Sequence, residues 1–167
     1  MQRQTVRRTA VALAAAVGLA LGATSAARAD SKDTVDDVIK AGRQAGTEFT
    51  TLLNDLTRKA ASATAQTKPQ LEAQVAALKK IQPLPGRLAS DRTFAKEVLD
   101  LSLKSDKAGL GALWSKTLGT DVQIRDIKDW MVYVIYEVNG YRWEACISSD
   151  ASCGGKYASH EMLGKAR

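Results

Sequence analysis

Residues 131–148 read MVYVIYEVNGYRWEACIS, and this stretch decides the fold. Asn139-Gly140 is the preferred pair for a two-residue type I′ turn, because both positions need a positive φ. The turn fixes a register in which paired residue numbers sum to 279. One face then pairs Val138 with Tyr141, Tyr136 with Trp143, Val134 with Ala145 and Val132 with Ile147, all apolar or aromatic. The other face pairs Glu137 with Arg142, Ile135 with Glu144, Tyr133 with Cys146 and Met131 with Ser148. Turn chemistry, alternation and a complementary cross-strand charge pair agree on one register, and a slip of one residue would bring charge onto the core face. An isolated hairpin is marginal in water, so the Val132/Tyr136/Trp143 face requires a partner layer.

Helices are expected to supply that layer, the third and fourth in chain order being the nearest candidates. Over residues 32–66, Val35, Val38, Gly42, Ala45, Phe49, Leu52 and Leu56 are spaced alternately three and four apart, which places them on one helical stripe. Asp33, Asp36 and Asp37 sit where the helix dipole favours negative charge. Lys68-Pro69 interrupts this run and opens a second helix to about Gln82, with Leu71, Val75, Leu78 and Ile81 on one face. Pro83-Leu84-Pro85-Gly86 reads as a stop. The two helices are expected to form an antiparallel hairpin, one long kinked rod being the alternative. A third helix is capped by Ser90 or Asp91 and turns Phe94, Val98 and Leu101 inward. A fourth is capped by Ser105, carries Leu110, Leu113, Trp114 and Leu118, and ends at Gly119. Val122–Ile127 and Lys156–Met162 read as further strands. The expected class is α+β: about four helices, then a small antiparallel sheet built on the type I′ hairpin. The order helix, strand, hairpin resembles in outline the PepSY-type modules of exported bacterial proteins; no motif ties the chain to them, and no family is assigned.

The N-terminus reads as a cleavable export signal covering residues 1–29. Arg3, Arg7 and Arg8 precede the apolar run from Val11 to Ala23, and Ala27-Arg28-Ala29 places the cut before Asp30. The run is too short for a spanning helix, which needs roughly 20 residues. No stable membrane insertion is expected once the signal is gone, and the location is periplasmic or secreted. The remaining chain divides into a helical segment, 30–82, and an α+β part, 83–167, with the hairpin and a disulfide loop. The whole sequence has 24 basic and 18 acidic residues. Four of the basic residues and no acidic one fall in the signal, which leaves a net charge of +2 on residues 30–167. No basic run longer than a pair exists there, and a nucleic-acid partner is not expected.

Cys146 and Cys153 are the only cysteines, and an oxidising compartment pairs them. Their spacing is not that of a Cys-x-x-Cys redox dithiol. A structural bridge of this loop length contributes about 2 to 3 kcal/mol. Cys146 falls on the mixed face, so the bridge is expected on the hairpin's outer surface, with the loop curling back. His160 is the only histidine and reads as an ordinary surface residue, since no Gly-x-Ser-x-Gly elbow accompanies it. The N-terminal acids lack the spacing of a calcium loop, and no glycine-rich phosphate loop is present. No cofactor, metal or catalytic residue is therefore nominated.

Seven of the nine aromatic residues lie between Trp114 and Tyr157, which concentrates recognition capacity around the hairpin. The register leaves Tyr133 and Arg142 off the core face, Tyr157 follows the disulfide loop, and these three are the candidate binding residues, since Tyr and Arg commonly carry interface energy. The expected function is a non-catalytic exported protein that binds a protein partner, as an inhibitor, immunity or envelope accessory factor. A cell-envelope structural protein that oligomerises through its long N-terminal helix is the alternative, and a hydrolase the third reading.

Overall fold

The computed structural model describes residues 34–128 and 131–166. The sites read as signal and cleavage point lie outside them. The class is α+β: helices come first and a four-stranded antiparallel sheet follows.

Helix α1 spans Val35–Ala61. It starts with a capping box. Thr34 Oγ1 accepts the Asp37 N–H at 3.3 Å, and Asp37 Oδ2 accepts the Thr34 N–H at 2.8 Å. That bond from the Thr34 backbone holds the Asp37 carboxyl below its ordinary range. Of the expected stripe, Val38, Gly42, Ala45, Phe49 and Leu56 are buried, and Val35 and Leu52 partly so. The helix ends at Ala61 and does not run to 66. Helix α2 covers Lys68–Ile81 with Pro69 in its first turn. Three contacts run in opposite order along α1: Thr50 meets Gln82 (3.3 Å), Gly42 packs on Pro85 and Leu88, and Asp36 pairs with Arg92 (2.6 Å). The chain after α1 therefore returns antiparallel to it, which selects the hairpin over the rod.

The expected stop at Pro83-Leu84-Pro85-Gly86 is a helix, α3 (Pro83–Ser90). Both prolines fall in its first turn, where a backbone N–H has no partner to lose. Asp91 caps α4 (Arg92–Leu103) by accepting the Phe94 N–H at 2.9 Å. Helix α5 (Lys107–Leu118) is capped by Asp106, which accepts the Gly109 N–H at 2.8 Å, and not by Ser105; Ser105 has a φ of 53° and precedes the cap. Gly119 ends α5 with a φ of 60°, the left-handed cap its position implied.

The strands are β1 (Val122–Lys128), β2 (Met131–Val138), β3 (Tyr141–Ile147) and β4 (Ala158–Lys165), in spatial order β1-β2-β3-β4. The β2–β3 register runs from Val132↔Ile147 to Val138↔Tyr141, the pairing that Asn139-Gly140 dictates. Asn139 and Gly140 have φ of 53° and 75°. Val132, Val134, Tyr136, Trp143, Ala145 and Ile147 are buried and share one core with Phe49, Leu78, Leu88 and Trp114. Helices α1 and α2 contact the hairpin strands on this side, in place of the two helices nearest to them in sequence, and α5 contacts β1; among the described residues the other face carries no helix.

Candidate functional site: the open face of the sheet

Strand alternation delivers Tyr133, Ile135, Arg142, Glu144 and Glu161 to the face opposite the helices. The centre of that face is a stack. A β-bulge between Ile124 and Asp126 places Arg125 beside β2. Its guanidinium carbon lies 4.5 Å from the centre of the Tyr133 ring. Its Nε lies 2.9 Å from Glu144 Oε2. Glu144 is only 5% exposed, because Arg125 and its neighbours roof it on the sheet. Burial raises its pKa; Arg125 pulls it down, and Glu161, directly opposite on β4, pushes it up, with a net rise.

Arg142 occupies the hairpin end of the same face. Its Nε is 3.8 Å from Glu137 Oε1, the cross-strand pair expected from the register. Beside it lies a hollow of about 260 Å³ bounded by Thr120, Asp121, Gln123, Ile135 and Glu137.

The opposite end holds the Cys146–Cys153 disulfide, with Cα atoms 5.8 Å apart. The loop curls back as expected, but the bridge is not exposed: Cys146 is 1% and Cys153 3% accessible. The loop buries it. The Ser148 N–H donates to the Tyr157 carbonyl (2.9 Å), the Ser152 N–H to Ser148 Oγ (2.9 Å) and the Cys153 N–H to the Lys156 carbonyl (3.0 Å). Ala151, Gly154 and Gly155 take positive φ to make this path. Tyr157 closes the loop, and Glu48 of α1 accepts its N–H (3.3 Å) and that of Ala158 (2.7 Å). One long helix thus anchors the loop exit.

Tyr133, Arg142 and Tyr157 border one side of the sheet without forming one cluster. Arg142 is four residues along β3 from Cys146, the partner of Tyr133, or about 13 Å at strand rise. Tyr157 is in register with Ser148, two residues beyond Cys146 in the other direction. No residue pattern signals the Arg125 contact, which depends on a bulge in the neighbouring strand.

His160 is not an ordinary surface residue. It pairs with Ala145 on the core side and is half-buried. Its ring stacks on Trp143 at 5.2 Å and 10°, and its Nε2 lies 2.7 Å from the Tyr136 hydroxyl. Tyr136 donates to the Ala77 carbonyl at 3.0 Å, so the neutral ring donates from Nε2 to the tyrosine oxygen. Burial lowers the His160 pKa to about 4 and drives that of Tyr136 upward. A hydroxyl held in this way is a poor nucleophile, and the pair cross-links the sheet to α2.

Among the described residues, no group of three or more His, Cys, Asp or Glu side chains could hold a metal ion. No helix there is long and apolar enough to cross a membrane. Comparison with family models, curated proteins and solved structures finds no match to this chain.

Proposed function

We propose that this protein is a small exported, non-catalytic binding protein that engages a protein partner through the open face of its sheet. The observation that carries the reading is that face: the helices lie on the other side, and Tyr133 is held in place by Arg125 and Glu144. Preorganisation of this kind lowers the ordering cost of association. The disulfide and the absence of a spanning helix among the described residues are compatible with export. The reading that uses the N-terminal helix for assembly has less support, because the stripe on α1 is enclosed in the protein's own core. The hydrolase reading has less support, because among the described residues the groups seen against the His160 ring are Tyr136 and Trp143.

The test begins with tagged protein recovered from the envelope and culture fluid, where its intact mass must start at Asp30. A captured partner is then titrated calorimetrically against variants. Tyr133→Ala and Arg142→Ala are each expected to weaken binding by at least about 1 kcal/mol while leaving the melting temperature little changed. Unchanged affinity in both would move the site off this face.

A further inference from the structure

The two edges of the sheet are protected unequally. On β1, Ser115 Oγ accepts the Val122 N–H (2.9 Å), Lys107 Nζ donates to the Arg125 carbonyl (2.7 Å) and Asp126 Oδ1 accepts the Ile127 N–H (2.9 Å). The bulge at Arg125 bends that strand as well. Side-chain capping and bulges are the usual devices that stop an edge from recruiting another strand. On β4 such protection is confined to the first residues, where Glu48 takes the Tyr157 and Ala158 N–H groups. The Ser148–Tyr157 bond turns the Tyr157 carbonyl toward β3, and Glu48 meets the Ala158 N–H from the far side. Alternation then turns the backbone of His160 and Met162 away from β3. Among the described residues, no helix or loop group bonds to these two.

The charge beside this edge is acidic. Glu161 is exposed and directly opposite Glu144, and among the described residues Arg125 pairs with Glu144 alone. Like charges facing each other across neighbouring strands are destabilising, and one guanidinium leaves the second carboxylate uncompensated. The Glu161 backbone faces β3, so a fifth antiparallel strand would meet Glu161 in a non-hydrogen-bonded pair, where facing side chains lie closest.

We propose that β4 is a docking edge for an extended basic segment of a partner protein, which adds as a fifth antiparallel strand with a Lys or Arg opposite Glu161. Backbone bonds to His160 and Met162 supply the affinity, and the cation at Glu161 sets register and preference. The inference rests on reading the chain as a binding module, but it uses neither Tyr133 nor Arg142, so the two readings fail separately.

The probe is a set of octapeptides of alternating Val and Thr, with a single Lys moved through each position. They are added to the purified exported protein while amide exchange is followed by NMR. At least one register is expected to slow exchange at the His160 and Met162 amides by tenfold or more. Replacing its Lys by Glu should weaken binding at least tenfold, and Glu161→Lys in the protein should reverse that preference. Equal affinity for Lys and Glu peptides would overturn the proposal. So would protection at neither amide by any peptide, or protection that rises with protein concentration alone, which would make a second copy of this chain the occupant. Peptide addition at β4 combined with unaltered partner affinity in Tyr133→Ala and Arg142→Ala would remove the open-face reading and leave this one standing.

Discussion

His160 shows how a single side chain couples stability to pH. Its ring is stacked on Trp143 and donates to Tyr136, and burial holds its folded pKa near 4 against 6.5 for the free group. A lowered histidine pKa means that the unfolded chain binds more protons between these values. The stability this provides is complete above about pH 6.5 and is lost as the pH falls toward 4. The loss amounts to about 3 kcal/mol. Glu144, whose pKa is raised by burial, acts in the opposite direction, since protonation relieves its desolvation. The lowered carboxyls of Asp37 and Asp91 add their own acid-side loss. The useful readout is therefore a difference. Urea denaturation from pH 7 to pH 4 should show a steep loss in the natural protein and a shallower one in His160→Gln. Equal slopes would contradict the buried placement of the ring.

Helix packing turns on close approach at one glycine. A Cβ on Gly42 would sit 2.7 Å from Leu88 Cβ, 2.8 Å from the Ala89 nitrogen and 2.9 Å from the Pro85 carbonyl oxygen, two of them backbone atoms of α3. Gly42→Ala should cost at least about 1 kcal/mol despite the better helix propensity of alanine. Gly86→Ala, where nothing lies within 4 Å, should gain up to about 1 kcal/mol. Thermal melting of the two variants compares them; a stabilised Gly42→Ala would contradict the α1–α3 contact. The legibility of each element follows the same physics. The hairpin register was readable because Asn139-Gly140, the alternation of Val132 to Val138 and the Glu137–Arg142 pair are all local and agree. The α1 stripe was readable from its period. Helix α3 was not, because Pro83 and Pro85 read as breakers by residue type, whereas a first turn tolerates them. Asp106 displaced Ser105 as a cap by one residue, a choice settled by backbone geometry. Tyr133 and Arg142 could be assigned to the face off the core from the hairpin alone. The contacts around them could not, because Arg125 reaches Tyr133 through a bulge. His160 finds Tyr136, and through it Ala77, only in the assembled core.

At the scale of the molecule, the helices and the sheet enclose one core, and among the described residues one broad sheet face is left without a helix. Phe49 of α1, Leu88 of α3, Trp114 of α5 and Trp143 of β3 meet in that core, so neither half has a second buried layer to offer. The proposed recognition therefore falls to the sheet face, with its Tyr133–Arg125–Glu144 stack and the hollow beside Arg142. A photo-crosslinking scan in the producing cell tests this most directly. A benzophenone side chain is placed at Gln123, Tyr133 or Ile135 on the open face, and at Arg43, Thr47 or Thr51 on the exposed side of α1. The expected result is a discrete crosslinked partner from the sheet positions and none from the helix positions. Crosslinks from the α1 positions alone would contradict the account.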